Sequence, residues 1–234
     1  MLVTAGLGVE TDRSAATCAN ANLVTSPDGR SIVKRVSTTT DFVIVQHAHK
    51  AAGSGDVGLT PQGREQAAEI ARRLADLSIA AVYSSPLRRA RETAEPIARA
   101  AGRPVVEDER LRERMNWDGE ESLEAFLAEW ARSTDDRTFV SRWGESSVRV
   151  GERFASLLEE LAMNHRGELV VLVGHGGATV DLLRTLYGDD YVRGAAAGII
   201  EQGVPHCALT RLRLEKGRIM AVSVAVAPSD RAGA

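Results

Sequence analysis

The sequence predicts an α/β fold with a largely parallel central sheet. Three observations carry that expectation. Short apolar runs of strand length recur along the chain, and most lead into segments with helical periodicity. Two of the runs, DFVIVQH and ELVVLVGHGG, stay apolar until they end in polar and glycine residues, as strands covered on both faces do. The composition is that of an ordinary globular protein, 44% hydrophobic and 26% charged over 234 residues, enough for one core and one domain.

Residues 1–40 are rich in Ala, Ser, Thr, Asn and Gly and read as an irregular extension. A weak strand pair is expected in LVTSPDGRSIVKRV, turning at Pro27, Asp28 and Gly29. A disordered tail, or a start codon placed too far upstream, explains the same composition. The main domain is expected over 41–228, with 229–234 as a tail. DFVIVQH opens it as a central strand. LTPQGREQAAEIARRLADL follows as a helix: Thr60 suits the N-cap and Pro61 the first turn. Ala67, Ala68, Ile70, Ala71, Leu74 and Leu77 form its apolar face. AAVYSS is a second strand, and SPLRRARETAEPIARAAG a helix that closes on Gly102. PVVEDERL reads as a third strand or extended segment. SLEAFLAEWARS and SVRVGERFASLLEELAMNH are helical, ELVVLVGHGG is the clearest strand, and GATVDLLRTLYG is the helix after it. CALTRLRLEKGRIMAVSVAV reads as two strands joined at Lys216 and Gly217.

A formal net charge of −3 gives no global attraction for nucleic acid or acidic membranes. Cys18 and Cys207 are too few for a disulfide framework, and nothing near them has zinc-site spacing. Reduced thiols fit a cytoplasmic protein. MLVTAGLGVETDR lacks the basic start of a signal peptide, and no stretch reaches the length of a membrane span.

In parallel α/β sheets ligands gather at the carboxyl ends of the strands. The first such tip carries Gln46, His47, Ala48, His49 and Lys50. The second carries Ser84 and Ser85 and opens a helix with Arg88, Arg89 and Arg91. The last carries Gly174, His175, Gly176 and Gly177. Two histidines and an arginine cluster are expected on one electropositive rim, framed by helix N-termini and glycines. The simplest ligand for that rim is a phosphoryl group.

These residues resemble the histidine phosphatase superfamily, the phosphoglycerate mutase-like proteins. Ser85-Pro86-Leu87-Arg88-Arg89-Ala90-Arg91-Glu92-Thr93 matches that family's Ser-x-Leu-x-Arg-Ala-x-x-Thr motif, and Leu59-Thr60-Pro61-Gln62-Gly63-Arg64-Glu65-Gln66-Ala67 its Leu-Thr-x-x-Gly-x-x-Gln-Ala. Leu111-Arg112-Glu113-Arg114 is similar to the proton-donor segment, Gly144-Glu145-Ser146 to the Gly-Glu-Ser before the next helix, and Val173-Gly174-His175-Gly176-Gly177 to the second histidine. The resemblance spans residues 42 to 215 in the family's order. It implies a three-layer α/β/α fold with a small helical cap at about 114–145. It implies that His47 attacks phosphorus as a neutral imidazole, and that Arg89, His175, Gly176 and the residue at 46 hold the phosphoryl group. His175 is expected to add positive charge as the transition state forms. Glu113 is implied as the acid for the leaving oxygen and then the base for water. No metal or other cofactor is implied. The short stretch between Glu113 and Gly144 favours hydrolysis over a mutase reaction.

The family's opening Arg-His-Gly is here Gln46-His47-Ala48. Ala for Gly is mild where φ is negative. Gln for Arg removes a charged hydrogen-bond donor, roughly ten- to a hundred-fold in binding or rate. Lys50, His49, Arg88 and Arg91 are candidates to restore the charge. Three readings follow, in this order: a metal-independent phosphomonoester hydrolase for a small phosphorylated metabolite, its activity lowered or its pocket altered by Gln46; a member that binds a phosphorylated ligand or protein without turnover; and a metal-dependent hydrolase using His47 and His49 on one strand face. A homodimer is an additional expectation.

His165 and His206 read as structural, Arg88 and Arg91 as solvated, and Cys207 as a small buried apolar residue in a strand. Trp117, Trp130 and Trp143 read as packing in the cap or lining its entrance. The cap has more acidic than basic residues, so the non-phosphate part of the substrate is expected to be neutral or basic.

Overall fold

The computed structural model describes residues 21–25, 31–35 and 39–227. The chain divides into two units, Met1–Val36 and Ser37–Ala234. In the first, β1 (Ala21–Thr25) pairs antiparallel with β2 (Ser31–Arg35), Ala21 opposite Arg35 and Thr25 opposite Ser31. The turn expected at Pro27, Asp28 and Gly29 lies outside the described residues.

In the second unit, β3 (Thr39–Gln46) begins two residues earlier than the apolar pattern suggested, because Thr39 and Thr40 already pair with a later strand. Then come α1 (Pro61–Leu74), β4 (Ile79–Ser84), α2 (Arg88–Ala101), β5 (Val105–Glu107), α3 (Leu123–Asp135), α4 (Ser147–Asn164), β6 (Leu169–Gly174), α5 (Gly176–Tyr187), α6 (Asp189–Ala195), α7 (Ile199–Gln202), β7 (Leu209–Glu215) and β8 (Arg218–Val226). The six strands of this unit lie in the order β5-β4-β6-β3-β7-β8. The first four run parallel, and β7 and β8 are antiparallel to their neighbours.

Local chemistry sets the ends of these elements. The Thr60 hydroxyl accepts the Gly63 N–H and caps α1; Ser122 and Ser146 do the same for α3 and α4. Gly102, at φ 64, closes α2 in the left-handed conformation. Lys216 and Gly217 both have positive φ, which matches the two-residue turn that a twisted hairpin needs.

Alternation along β3 divides the core into two halves. Phe42 and Ile44 pack with Val170, Leu172 and the apolar faces of α4 and α5, including Phe154, Leu157 and Leu182. Val43 and Val45 pack with Val171, Val173 and the apolar faces of α1 and α2, including Ile70, Leu74 and Ile97. The sheet is therefore sandwiched between helical layers. No helix among the described residues is long and apolar enough to cross a membrane.

Strand order and register determine what meets at the tips. β4, β6 and β3 are parallel neighbours, with Gln46 opposite Gly174 and Ser84 opposite Val173. The residues that follow, Ser85, His175 and His47, therefore emerge side by side at one edge.

Candidate active site

The His47 ring lies 5.2 Å from that of His175, at an interplanar angle of 63°. The His47 Nδ1 is 2.8 Å from the carbonyl oxygen of Ala48. A carbonyl only accepts, so Nδ1 carries the proton and Nε2 keeps its lone pair. Burial, then the nearby Arg89 guanidinium, lower the His47 pKa to about 3, so the imidazole is neutral throughout the neutral range. His175 is fully buried and is driven well below the ordinary value, again mainly by burial. Its Nε2 is 2.8 Å from the Ser85 hydroxyl, and its Nδ1 has no hydrogen-bond partner. Burial thus favours the neutral ring at His175 in the free site, and the positive charge expected there from sequence belongs to the transition state.

The motif residues hold this pair in place. The Ala48 N–H donates to the Thr93 hydroxyl, which itself donates to the Arg89 carbonyl. The His49 N–H donates to Gln66 Oε1, and Thr60 is bonded to both the backbone and the ring of His49. A Cβ on Gly63 would sit 2.1 Å from the His49 carbonyl oxygen, so only glycine allows α1 to approach so closely. Leu59–Ala67 is therefore a clamp on the turn that follows the nucleophile candidate. Ala48 has negative φ and is buried, so the missing glycine costs nothing there.

Arg89 is buried and lines, with His47, Lys50, Glu113 and Asn116, a cavity of about 410 Å³. Its Nη1 donates to Asn116 Oδ1 at 3.2 Å, and its Nε has no partner. Glu113 caps α5: Oε1 accepts from Arg114 N and Ala178 N, and Oε2 from Gly177 N. A carboxylate oxygen has two lone pairs, so one remains open on Oε2. Gly177 leaves room for this, since its Cβ would meet Glu113 Oε1 at 2.5 Å and Trp130 at 2.7 Å. Glu113 and Asn116 also line a second cavity, of about 480 Å³. The neighbouring acids are engaged elsewhere: Glu107 with Arg91, Asp108 with Arg110, Glu109 with Arg112, and Asp118 with Trp143.

Gln46 is 7% exposed, and its Oε1 lacks a partner. Its Nε2 lies 3.5 Å from where a Cβ on Gly176 would stand, and neither residue lines the cavity. Of the four groups that could replace the missing arginine, Arg88 pairs with Glu92 and Arg91 with Glu107 on the surface, while His49 bonds to Thr60. Lys50 alone of the four lines the cavity. Its pKa is lowered by burial and by Arg89, and its charge acts on His47 in turn.

His206, read from sequence as structural, lies beside the other two histidines: its ring is 5.7 Å from that of His47 and 5.3 Å from that of His49. The residues before β7 reach the tip of β3 because those strands are antiparallel; Cys207 N donates to Gln46 O and Gln46 N to Ala208 O. That pairing is invisible in the sequence. Cys207 is buried as expected but precedes the strand, at φ 58. The His47 and His49 metal set does not assemble, since His49 is tied to Thr60 and, among the described residues, no three His, Cys, Asp or Glu side chains converge to hold an ion.

The family model of the histidine phosphatase superfamily (branch 1) matches residues 39–226. The chain belongs to that superfamily. A metal-independent phosphoserine phosphatase of Arabidopsis thaliana is 34% identical over 173 residues, covering 66% of this chain and 70% of that protein. A probable phosphoglycerate mutase GpmB of Serratia proteamaculans is 35% identical over 147 residues, 60% of this chain and 68% of that one. Among solved structures, a mycobacterial glucosyl-3-phosphoglycerate phosphatase superposes with a TM-score of 0.68 at 26% identity, over 81% of this chain and 100% of that one. The sandwiched mixed sheet is the phosphoglycerate mutase-like fold of this histidine phosphatase superfamily.

Proposed function

We propose that this histidine phosphatase hydrolyses phosphomonoesters through a phosphohistidine at His47 Nε2, without a metal. The observation that carries the reading is the pair of buried nitrogens without a partner, Arg89 Nε and His175 Nδ1, in side chains beside a neutral imidazole whose Nε2 keeps its lone pair. Buried polar atoms are nearly always paired, so two orphans beside a nucleophile fit an incoming anion. If the Ser85 hydroxyl donates to His175 Nε2, then Nδ1 holds the ring proton and donates to a phosphoryl oxygen.

The bonds then change as follows. Glu113 first takes a proton from the substrate monoanion at the open lone pair of Oε2; the His47 Nε2 lone pair then forms the N–P bond, the ester P–O bond breaks, and the leaving oxygen takes that proton. Water reaching Glu113 through the second cavity gives a proton back to Oε2 as its oxygen attacks phosphorus. The N–P bond breaks, and inorganic phosphate leaves with His47 neutral again. Charge on the phosphoryl oxygens is met by Arg89 and by Lys50, which stands in for the arginine absent at position 46. The name of the metal-independent Arabidopsis relative supports this chemistry.

The test is phosphate release from a panel of monoesters with and without a chelator, for wild type and His47→Ala. Release that survives the chelator and vanishes in His47→Ala is expected. Chelator-sensitive release would return the reaction to metal catalysis, and phosphate binding with no turnover of any ester would make the chain a binding module.

A further inference from the structure

We propose that the group esterified to phosphate in the substrate is uncharged and aromatic or flatly apolar, and that it lies against a wall built by Trp117, Phe126 and Trp130. This rests on the hydrolase reading and deepens it. Away from the phosphoryl end, the cavity is walled by Met115, Trp117, Leu123, Phe126 and Trp130, all apolar and all from one stretch of the cap. The acidic residues of the cap, which from sequence suggested a neutral or basic partner, do not line it. Asp118 accepts from Trp143 Nε1, Glu121 pairs with Arg142, and Glu129 holds Ser141 and Arg142. The cations among the described lining residues are Lys50 and Arg89, both needed at the phosphoryl end. A carboxylate or a second phosphate on the substrate would meet no free charge and would lose its hydration against indole and phenyl faces.

The wall is set before any ligand arrives. The Arg114 guanidinium stacks on Trp130 at 4.4 Å and is anchored by its buried ion pair with Asp181 at 3.0 Å. Phe126 meets Trp143 edge-on, with ring centroids 5.5 Å apart. The Trp117 Nε1–H donates to the Glu121 carbonyl. Rings fixed in this way give contact area without an ordering cost on binding, and they favour flat apolar partners. Leu123, half exposed, stands at the rim where such a ligand would enter.

The test compares 2-phenylethyl phosphate with O-phosphoserine, glycerol 1-phosphate and 3-phosphoglycerate. In all four esters the leaving oxygen is a primary alkoxide, so differences read binding rather than leaving-group chemistry. The expected result is a kcat/KM for 2-phenylethyl phosphate at least about tenfold above the others, with Trp117→Ala and Trp130→Ala each shrinking that ratio several-fold, mainly through KM. A preference for the carboxylated esters, or a ratio that both substitutions leave intact, overturns the inference. Calorimetry with the stable 3-phenylpropylphosphonate and 2-amino-4-phosphonobutanoate keeps the question separate from turnover. If no ester is hydrolysed the hydrolase reading fails, while tighter binding of the phenyl phosphonate still upholds the wall, and tighter binding of the amino acid phosphonate still sinks it.

Discussion

Position 46 is where single residues decide most. The sequence made the loss of arginine plain, and four cationic or ionisable groups were candidates to offset it. Only side-chain direction separates them, and direction is what a sequence lacks. Lys50 faces the cavity, while Arg88 and Arg91 are spent on surface carboxylates. Lys50→Met is therefore expected to lower kcat/KM roughly ten- to a hundred-fold. Gln46→Arg should rescue most of that loss in the double variant, and additive effects across the two positions would deny the substitution of one cation for the other. The buried His47 also couples to stability. Its ordinary pKa of 6.5 in the unfolded chain falls to about 3 in the fold. Between those values the unfolded chain binds the proton and the folded one does not, so stability is lost as pH falls from 6.5. The contribution to that loss by pH 5 is about 2 kcal/mol. Denaturant unfolding in phosphate-free buffer at pH 7.5 and 5 should show a smaller acid loss for His47→Asn than for wild type, whereas equal losses would mean that His47 titrates normally.

Among the elements, strands and helices with clean periodicity were legible: the cap residues Thr60 and Gly102 and the Lys216-Gly217 turn appear where expected. The segment holding α6 and α7 was not, since YVRGAAAGII carries no apolar period to mark two short helices. Nor did the sequence say what its motifs are for. Leu59–Ala67 reads only as a helix start, yet its work is to grip the turn of His49, with Gly63 against the His49 carbonyl. Gly63→Ala should destabilise the fold by roughly 1–3 kcal/mol through overpacking and reduce turnover with it. Gly194→Ala, in α6 where an added Cβ meets nothing within 4 Å, should be neutral or stabilising by up to about 1 kcal/mol. Thermal denaturation of the two variants gives the comparison; similar shifts would mean that the close approach at Gly63 is relieved at no cost.

For the whole molecule, the alternation of strands and helices was enough to place the site at one sheet edge, because parallel neighbours must end together. It was not enough to give the strand order. The entry of β7 beside β3 brought His206 next to His47 unannounced, and the pairing of cap acids with Arg142 and Trp143 could not be read from the composition of the cap. What the order β4-β6-β3 does is bring Ser85, His175 and His47 into one line with Arg89. Hydrolysis by this line of residues requires a covalent phosphoryl group on His47. Rapid acid-free quenching of the enzyme during turnover of a good ester, followed by peptide mass spectrometry, should find an acid-labile, base-stable phosphoryl group on His47, absent in His47→Ala. Turnover with no phosphopeptide, or with the label on another residue, would contradict it.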